Sequence, residues 1–206
     1  MKTALTGKYA CCLVLAALLG LTACTGGNAP IRFYMLTPLP GPAAASRAGE
    51  TLPPIGVGPV HMADYLNRPQ IVTRSEHNRL QINEAWQWAE NPRSAFLRVL
   101  VQNLTQLLGS NQVFAFPWRR EARIRYQVIV DVDRFDGEDT HTAVLKAGWS
   151  VVDTRKNKIL AKRRADIRQP ADGTGVDKLV QAESRALAEL SRQIADTIRE
   201  ILKTNP

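Results

Sequence analysis

The sequence predicts an α/β domain in which one mixed, largely antiparallel sheet carries two amphipathic helices. In three successive segments between residues 124 and 168, apolar and polar residues alternate at period two, as expected of an antiparallel meander. Apolar residues recur at helical spacing over residues 92–108 and again over about residues 176–202. Because each amphipathic helix must bury its apolar stripe, we expect both helices to pack on the sheet.

Short extended segments precede the first helix. Residues 31–36 and 55–60 are predicted strands, and residues 71–74 and 79–83 form a predicted hairpin. The stretch 37–54 is rich in Pro, Ala and Gly and has no apolar periodicity, so we expect a mobile loop there.

Gly56 and Gly58 match a phosphate-binding loop only weakly. Pro59 follows directly, no third glycine arrives, and no helix opens at this point. The ordinary alternative is that both glycines allow another backbone segment to approach the strand closely.

The first helix has clear end signals. Asn91 is a candidate N-cap, Pro92 takes the first helical position, and Gly109 lies where the helix must stop. Its predicted apolar stripe is Phe96, Leu100, Leu104, Leu107 and Leu108.

The second half of the chain predicts the meander and the last helix. A brief strand at residues 113–116 comes first, and Asp136-Gly137 is the predicted turn after the first meander strand. One face of the first meander strand comprises Ile124, Tyr126, Val128, Val130 and Val132, and one face of the third comprises Ile159, Ala161, Ala165 and Ile167. Gly173 and Gly175 precede the last helix.

The N-terminus matches a lipoprotein export signal. Lys2 and Lys8 flank the start of an apolar run, residues 11–21, that is shorter than the about 20 apolar residues a spanning helix needs. Leu21-Thr22-Ala23-Cys24 is a lipobox pattern, in which the Cys thiol receives a diacylglycerol and becomes an N-terminus that carries acyl chains such as palmitate. The alternative is a plain secretory signal, or a membrane helix, that happens to contain Cys.

The lipobox sets the predicted domain organisation. Residues 1–23 are the signal peptide, residues 24–30 a lipid-anchored tether, and residues 31–206 a single domain. The six tether residues after Cys24 extend to only about 20 Å, which keeps the domain close to its membrane. In many diderm bacteria an Asp after the acylated Cys favours retention at the inner membrane, so Thr25 predicts the periplasmic face of the outer membrane.

Charge and cysteine content restrict the function classes. The net charge of +8 is most simply explained by solubility, and binding to anionic headgroups or to an acidic partner is the second explanation. Export of the chain argues against nucleic acid as a partner. Two of the three cysteines, Cys11 and Cys12, leave with the signal, and Cys24 is consumed by the lipid. The mature chain therefore has no thiol for a disulfide, a metal or a nucleophile.

No catalytic motif is recognisable, so the sequence predicts neither an enzyme nor a cofactor or metal. His61, His77 and His141 are isolated, and neither Gly-x-Ser-x-Gly nor His-Glu-x-x-His occurs. The acidic group Asp131, Asp133, Asp136 and Glu138 resembles a calcium loop only loosely, because its spacing is irregular and no closing Glu follows. A charged strand end that runs into a turn is the preferred interpretation.

Two groups are tentative contacts for a lipid or a partner protein. Trp86 and Trp88 project to the same side of an extended chain, where core or rim packing is the alternative. Arg119 and Arg120, with Arg123 and Arg125 nearby, could attract anionic headgroups, as could the row Lys162, Arg164 and Arg168, and a solvated sheet face is the alternative.

Three segments resemble the family of ABC-type transport auxiliary lipoproteins, the PqiC-like intermembrane transport lipoproteins. They are Phe33-Tyr34-Met35-Leu36 after the anchor, the stretch 65–74 with its Arg-Pro-Gln-Ile-Val-x-Arg core, and the Trp-Ala-Glu ending of residues 84–90. The resemblance covers nearly the whole mature chain. The long Ala/Pro loop and the double Trp depart from the family pattern.

The resemblance implies a non-enzymatic subunit of a lipid-trafficking system. Such a lipoprotein would dock an MCE-domain protein that spans the periplasm at the outer membrane and would support membrane integrity. Any ATP use would belong to partners, and Cys24 is the one modified site that the resemblance carries over. The resemblance leaves open whether the chain forms a homo-oligomer. The alternatives are a periplasmic carrier that itself binds a phospholipid and an unrelated envelope enzyme.

Overall fold

The computed structural model describes residues 30–41, 52–75 and 79–204. Eight strands form one sheet, and two helices pack on it. The strands are β1 Arg32–Tyr34, β2 Ile55–Met62, β3 Gln70–Arg74, β4 Leu80–Trp88, β5 Val113–Ala115, β6 Tyr126–Glu138, β7 Thr142–Asp153 and β8 Lys158–Pro170. The helices are α1 Pro92–Leu108 and α2 Val176–Thr204. Within these described residues, no helix is both long and apolar enough to cross a membrane.

The sheet is mixed, as predicted. Its main path runs β1-β4-β3-β6-β2-β5, and β7 and β8 extend it from β6. The β6–β7 and β7–β8 ladders are long and antiparallel, and β3–β4 is the predicted antiparallel hairpin. One edge of β6 pairs in parallel with β2 along its first half and with β3 at its end, which allows the sheet to continue in two directions.

The core lies between the sheet and the helices. Alternate residues Tyr126, Val128, Val130 and Val132 of β6 are buried, as the period-two pattern predicts. Helix α2 packs on β7 and β8, helix α1 on β2 and β5, and the two helices contact each other. The stripe residues Phe96, Leu100 and Leu104 of α1 are fully buried, and burial of each such side chain stabilises the fold by about 1.5–3 kcal/mol.

The predicted ends of α1 are confirmed. The Asn91 side chain accepts hydrogen bonds from the backbone N–H groups of Arg93 and Ser94, and Pro92 is the first helical residue. Gly109 ends the helix in the left-handed region at φ 62°, where a glycine carries no steric cost.

The first part of the predicted mobile loop is fastened to both helices. The backbone N–H of Thr37 donates to Ser184 Oγ at 3.2 Å, and that of Leu39 donates to Asn103 Oδ1 at 2.8 Å. Asn103 in turn donates to Ser191 Oγ at 3.0 Å in the interior. Polar side chains on the helices thus bind the backbone of residues 37–39, which the loop composition does not reveal. Residues 42–51 lie outside the described residues.

Two predictions about the meander are wrong. Asp136 and Gly137 continue β6, and the turn follows at Asp139, which adopts φ 50°. Ile159 is 60 % exposed because the register shifts between Val151 and Val152, so it pairs with Val152 and leaves the face of Ala161.

Candidate functional site

Arg119 lines an open groove at the β5 end of the sheet, and Arg120 is the next residue of the chain. The chain leaves β5 through Phe116 and Pro117, passes Trp118, and enters a single 3-10 turn at Arg120–Ala122. The groove has a volume of about 640 Å³, within the range of protein ligand sites. Its lining is Pro54, Gln112, Phe114, Ala115, Pro117, Trp118, Arg119, Glu121, Ala122 and Arg123.

Two glycines of β2 accommodate Trp118, which lines this groove, and Phe116, which packs against Trp118. A Cβ at Gly56 would lie 2.6 Å from Cζ3 of Trp118, and one at Gly58 would lie 2.6 Å from Cβ of Phe116. The rings of Phe116 and Trp118 meet edge to face with centroids 5.4 Å apart. The glycines therefore admit two aromatic residues, rather than the backbone approach expected from the sequence or a phosphate.

The rim of the groove is basic. Arg119, Arg120 and Arg123 are exposed, and none of them has an ion-pair partner among the described residues. Glu121 is the acidic residue of the lining. Arg125, by contrast, forms a salt bridge with Asp153, so its charge is already paired. Apolar rings beside unpaired guanidinium groups suit an amphipathic ligand with an anionic group.

The basic row on β8 is partly neutralised. Arg168 forms a salt bridge with Glu138, and Arg164 approaches Asp133 at 3.6 Å between two exposed side chains. Lys162 is exposed. This row therefore offers less free charge than the rim of the groove.

The structure does not bring the tryptophan pair to the groove. Trp86 and Trp88 lie on β4, near the other end of the main strand path, where they pair in register with Arg32 and Tyr34 of β1. Trp88 is buried in the core and Trp86 packs partly buried against it. Core and rim packing accounts for both side chains, and a contact with lipid or a partner stays a prediction.

The acidic residues near the end of β6 do not form one site. Asp131 and Asp133 are exposed, whereas Asp136 is fully buried. Asp136 Oδ2 accepts from Tyr65 Oη at 2.9 Å and from Arg74 at 3.1 Å, and Oδ1 accepts from Arg134 at 2.7 Å. In the described part of the chain, no group of three or more His, Cys, Asp and Glu is arranged to hold a metal.

Burial perturbs two groups around Asp136. Desolvation, followed by the Asp136 charge, raises the pKa of Tyr65 to about 12. Glu183 of α2 is buried near Asp136, and desolvation raises the pKa of its carboxyl group well above the usual range, with a further contribution from Asp136. Its Oε2 has no hydrogen-bond partner within the described residues.

The remaining candidate residues are separate from the groove. His61 is exposed on β2 and His141 is exposed in the turn before β7. His77 and Cys24 lie outside the described residues. Sequence reasoning missed the aromatic wall of the groove. A period-two match between Phe114, Phe116 and Trp118 and the two glycines of β2 is the signal that could have found it.

Comparison with known proteins identifies relatives in sequence and in fold. The model of a family described as an ABC-type transport auxiliary lipoprotein component matches residues 34–195. A search of curated proteins gives no match.

Two crystal structures share the fold. One, of an uncharacterized protein, has a TM-score of 0.66 at 19% identity and covers 82% of this chain and 99% of its own. The other, a Xanthomonas campestris protein of the DUF330 family, has a TM-score of 0.61 at 19% identity and covers 79% of this chain and 92% of its own.

Proposed function

The protein belongs to the family of ABC-type transport auxiliary lipoproteins, and on this premise we propose that it is a non-enzymatic subunit of an MCE-type intermembrane lipid transport system. In this proposal it is anchored through Cys24 at the periplasmic face of the outer membrane. There it docks the MCE-domain protein that spans the periplasm and so supports membrane integrity.

The family match over residues 34–195 carries the proposal. It covers both helices up to residue 195 and the whole sheet from Tyr34 onward, so the shared part is the folded domain itself. The lipobox at Leu21 to Cys24 supports the anchor, and Thr25 supports delivery to the outer membrane.

The groove beside Trp118 suits a binding subunit. Its aromatic wall and unpaired arginines can hold an apolar segment that carries acidic residues. Docking of this kind needs shape and charge complementarity and no reacting group.

Affinity purification from envelope membranes in mild detergent tests the docking role. We expect the tagged protein to recover an MCE-domain protein. Recovery of no such protein, with the bait itself lipidated and membrane-bound, would reject the docking role.

The groove also favours a second candidate, a carrier that binds a phospholipid non-covalently. Guanidinium groups bind phosphate, and rings of Phe114 and Trp118 offer apolar surface beside them. Native mass spectrometry after gentle extraction separates the two functions, because a carrier retains one phospholipid in addition to the acyl chains on Cys24. A mass that accounts for the covalent lipid alone favours the docking subunit.

A further inference from the structure

The first strand and the residue on either side of it present a row of exposed apolar side chains. Ile31, Phe33 and Met35 are 53%, 65% and 53% exposed. As alternate residues of an extended segment, they project to the same side of the chain. The residues between them turn the other way, since Tyr34 packs against the core and Leu36 is buried. Contiguous exposed apolar surface of this kind marks an interaction site.

This row lies at an edge of the sheet. Strand β1 ends the main strand path and pairs with β4 alone. Arg32, between Ile31 and Phe33, is exposed and has no ion-pair partner within the described residues. Arg32 projects to the opposite side of the strand from Ile31 and Phe33, so its long side chain can keep the charge in the headgroup layer while the apolar side chains face the bilayer.

The length of the tether indicates that the bilayer faces the exposed apolar row of Ile31, Phe33 and Met35. Six residues separate Cys24 from Ile31, and they reach at most about 20 Å. The domain itself is larger, because the 29 residues of α2 alone span about 43 Å. Strand β1 is therefore the part of the sheet that a lipid on Cys24 holds nearest to the bilayer.

We propose that Ile31, Phe33 and Met35 insert into the interface of the same bilayer that holds the acyl chains of Cys24, with Arg32 at the level of anionic headgroups. The inference rests on the lipid anchor of the proposed function. Only the side chains enter the apolar layer, because the unpaired N–H and C=O groups of an edge strand need water or headgroups as partners. The domain then has one fixed orientation on the membrane.

Site-directed spin labelling of the lipidated protein tests this orientation. With Cys24 acylated, the mature chain has no free thiol, so Phe33→Cys provides a single labelling site. Ile159→Cys is the matched control, because Ile159 is 60% exposed on the edge strand β8. Each protein is reconstituted into phosphatidylethanolamine and phosphatidylglycerol vesicles and floated, and collisions of the label with oxygen and with a water-soluble nickel complex are measured.

We expect the label at residue 33 to lose access to the nickel complex and gain access to oxygen in vesicles, while the label at residue 159 stays accessible to the nickel complex. Equal nickel access at both positions would overturn the proposal. Shielding of residue 33 from both reagents would also overturn it and would indicate a second copy of the chain over β1. Protein that fails to float with the vesicles lacks the lipid anchor. Among these outcomes, only this one rejects both the insertion of β1 and the proposed attachment through Cys24.

Discussion

The indole of Trp118 covers Gly56 so closely that a Cβ at residue 56 would lie 2.6 Å from Cζ3 of the ring. This contact holds one wall of the groove against β2, although the two residues lie far apart in the sequence. The groove therefore depends on a position that must lack a side chain.

Gly56→Ala is expected to displace the indole and to destabilise the protein. Overpacking of a close contact typically costs about 1–3 kcal/mol, so the midpoint of urea unfolding should fall, and the Trp fluorescence should change. Gly148→Ala is the control, because the nearest atom to a Cβ at Gly148 is 3.8 Å away. Equal midpoints for the two variants would contradict the prediction.

If the docking proposal holds, Arg119→Glu combined with Arg120→Glu is expected to reduce recovery of the proposed MCE-domain protein in affinity purification. Arg119 lines the groove, and Arg120 follows it in the adjoining 3-10 turn, where both side chains are exposed. Reversal of these two charges weakens association with an acidic surface. The control is Lys162→Glu combined with Arg163→Glu, which reverses two adjacent exposed charges on β8. An equal loss of partner in both proteins would assign the effect to net charge instead of the groove.

Asp136→Ala is expected to lower the free energy of unfolding by about 3–5 kcal/mol, because removal of one partner from a buried ionic group leaves the other charges uncompensated. Asp136 is fully buried and bonded to Tyr65, Arg74 and Arg134. Asp166→Ala is the control, since Asp166 pairs with Lys146 on the surface, where a salt bridge contributes about 0–1 kcal/mol. Urea unfolding at pH 7 compares the two, and similar losses would contradict the assignment.

Glu183→Gln is expected to flatten the pH dependence of stability. Burial raises the pKa of the Glu183 carboxyl group in the folded protein above its value in the unfolded chain. The folded state therefore holds more protons above the unfolded pKa, and stability falls as the pH rises. Thermal unfolding between pH 5 and pH 8 should show a smaller decline for the variant than for the parent protein.

Glu189→Gln serves as the control for this titration, because Glu189 is a partly exposed residue of the same helix that pairs with Arg192. It should retain the decline of the parent protein. A Glu183→Gln protein that loses stability with pH as steeply as the parent would show that Glu183 is ionised in the folded state.

The local elements followed from the sequence because their causes are local. Asn91, Pro92 and Gly109 set the ends of α1 through their own backbone preferences and the Asn91 side chain. The alternation of Tyr126, Val128, Val130 and Val132 requires only the period of a strand. The two helical stripes, together with the meander, were sufficient to predict a mixed sheet that carries two helices.

Contacts between distant segments were decided only by the tertiary structure. The sequence predicted Asp136 in a turn, but it is a buried residue of β6. Tyr65 and Arg74, which lie on other elements, donate hydrogen bonds to its carboxylate. Trp118 forms the groove because β5 pairs beside Gly56 of β2. Ile159 is exposed because of a register shift between β7 and β8. Composition and periodicity describe a single segment, whereas pairing partners and burial depend on how the segments assemble.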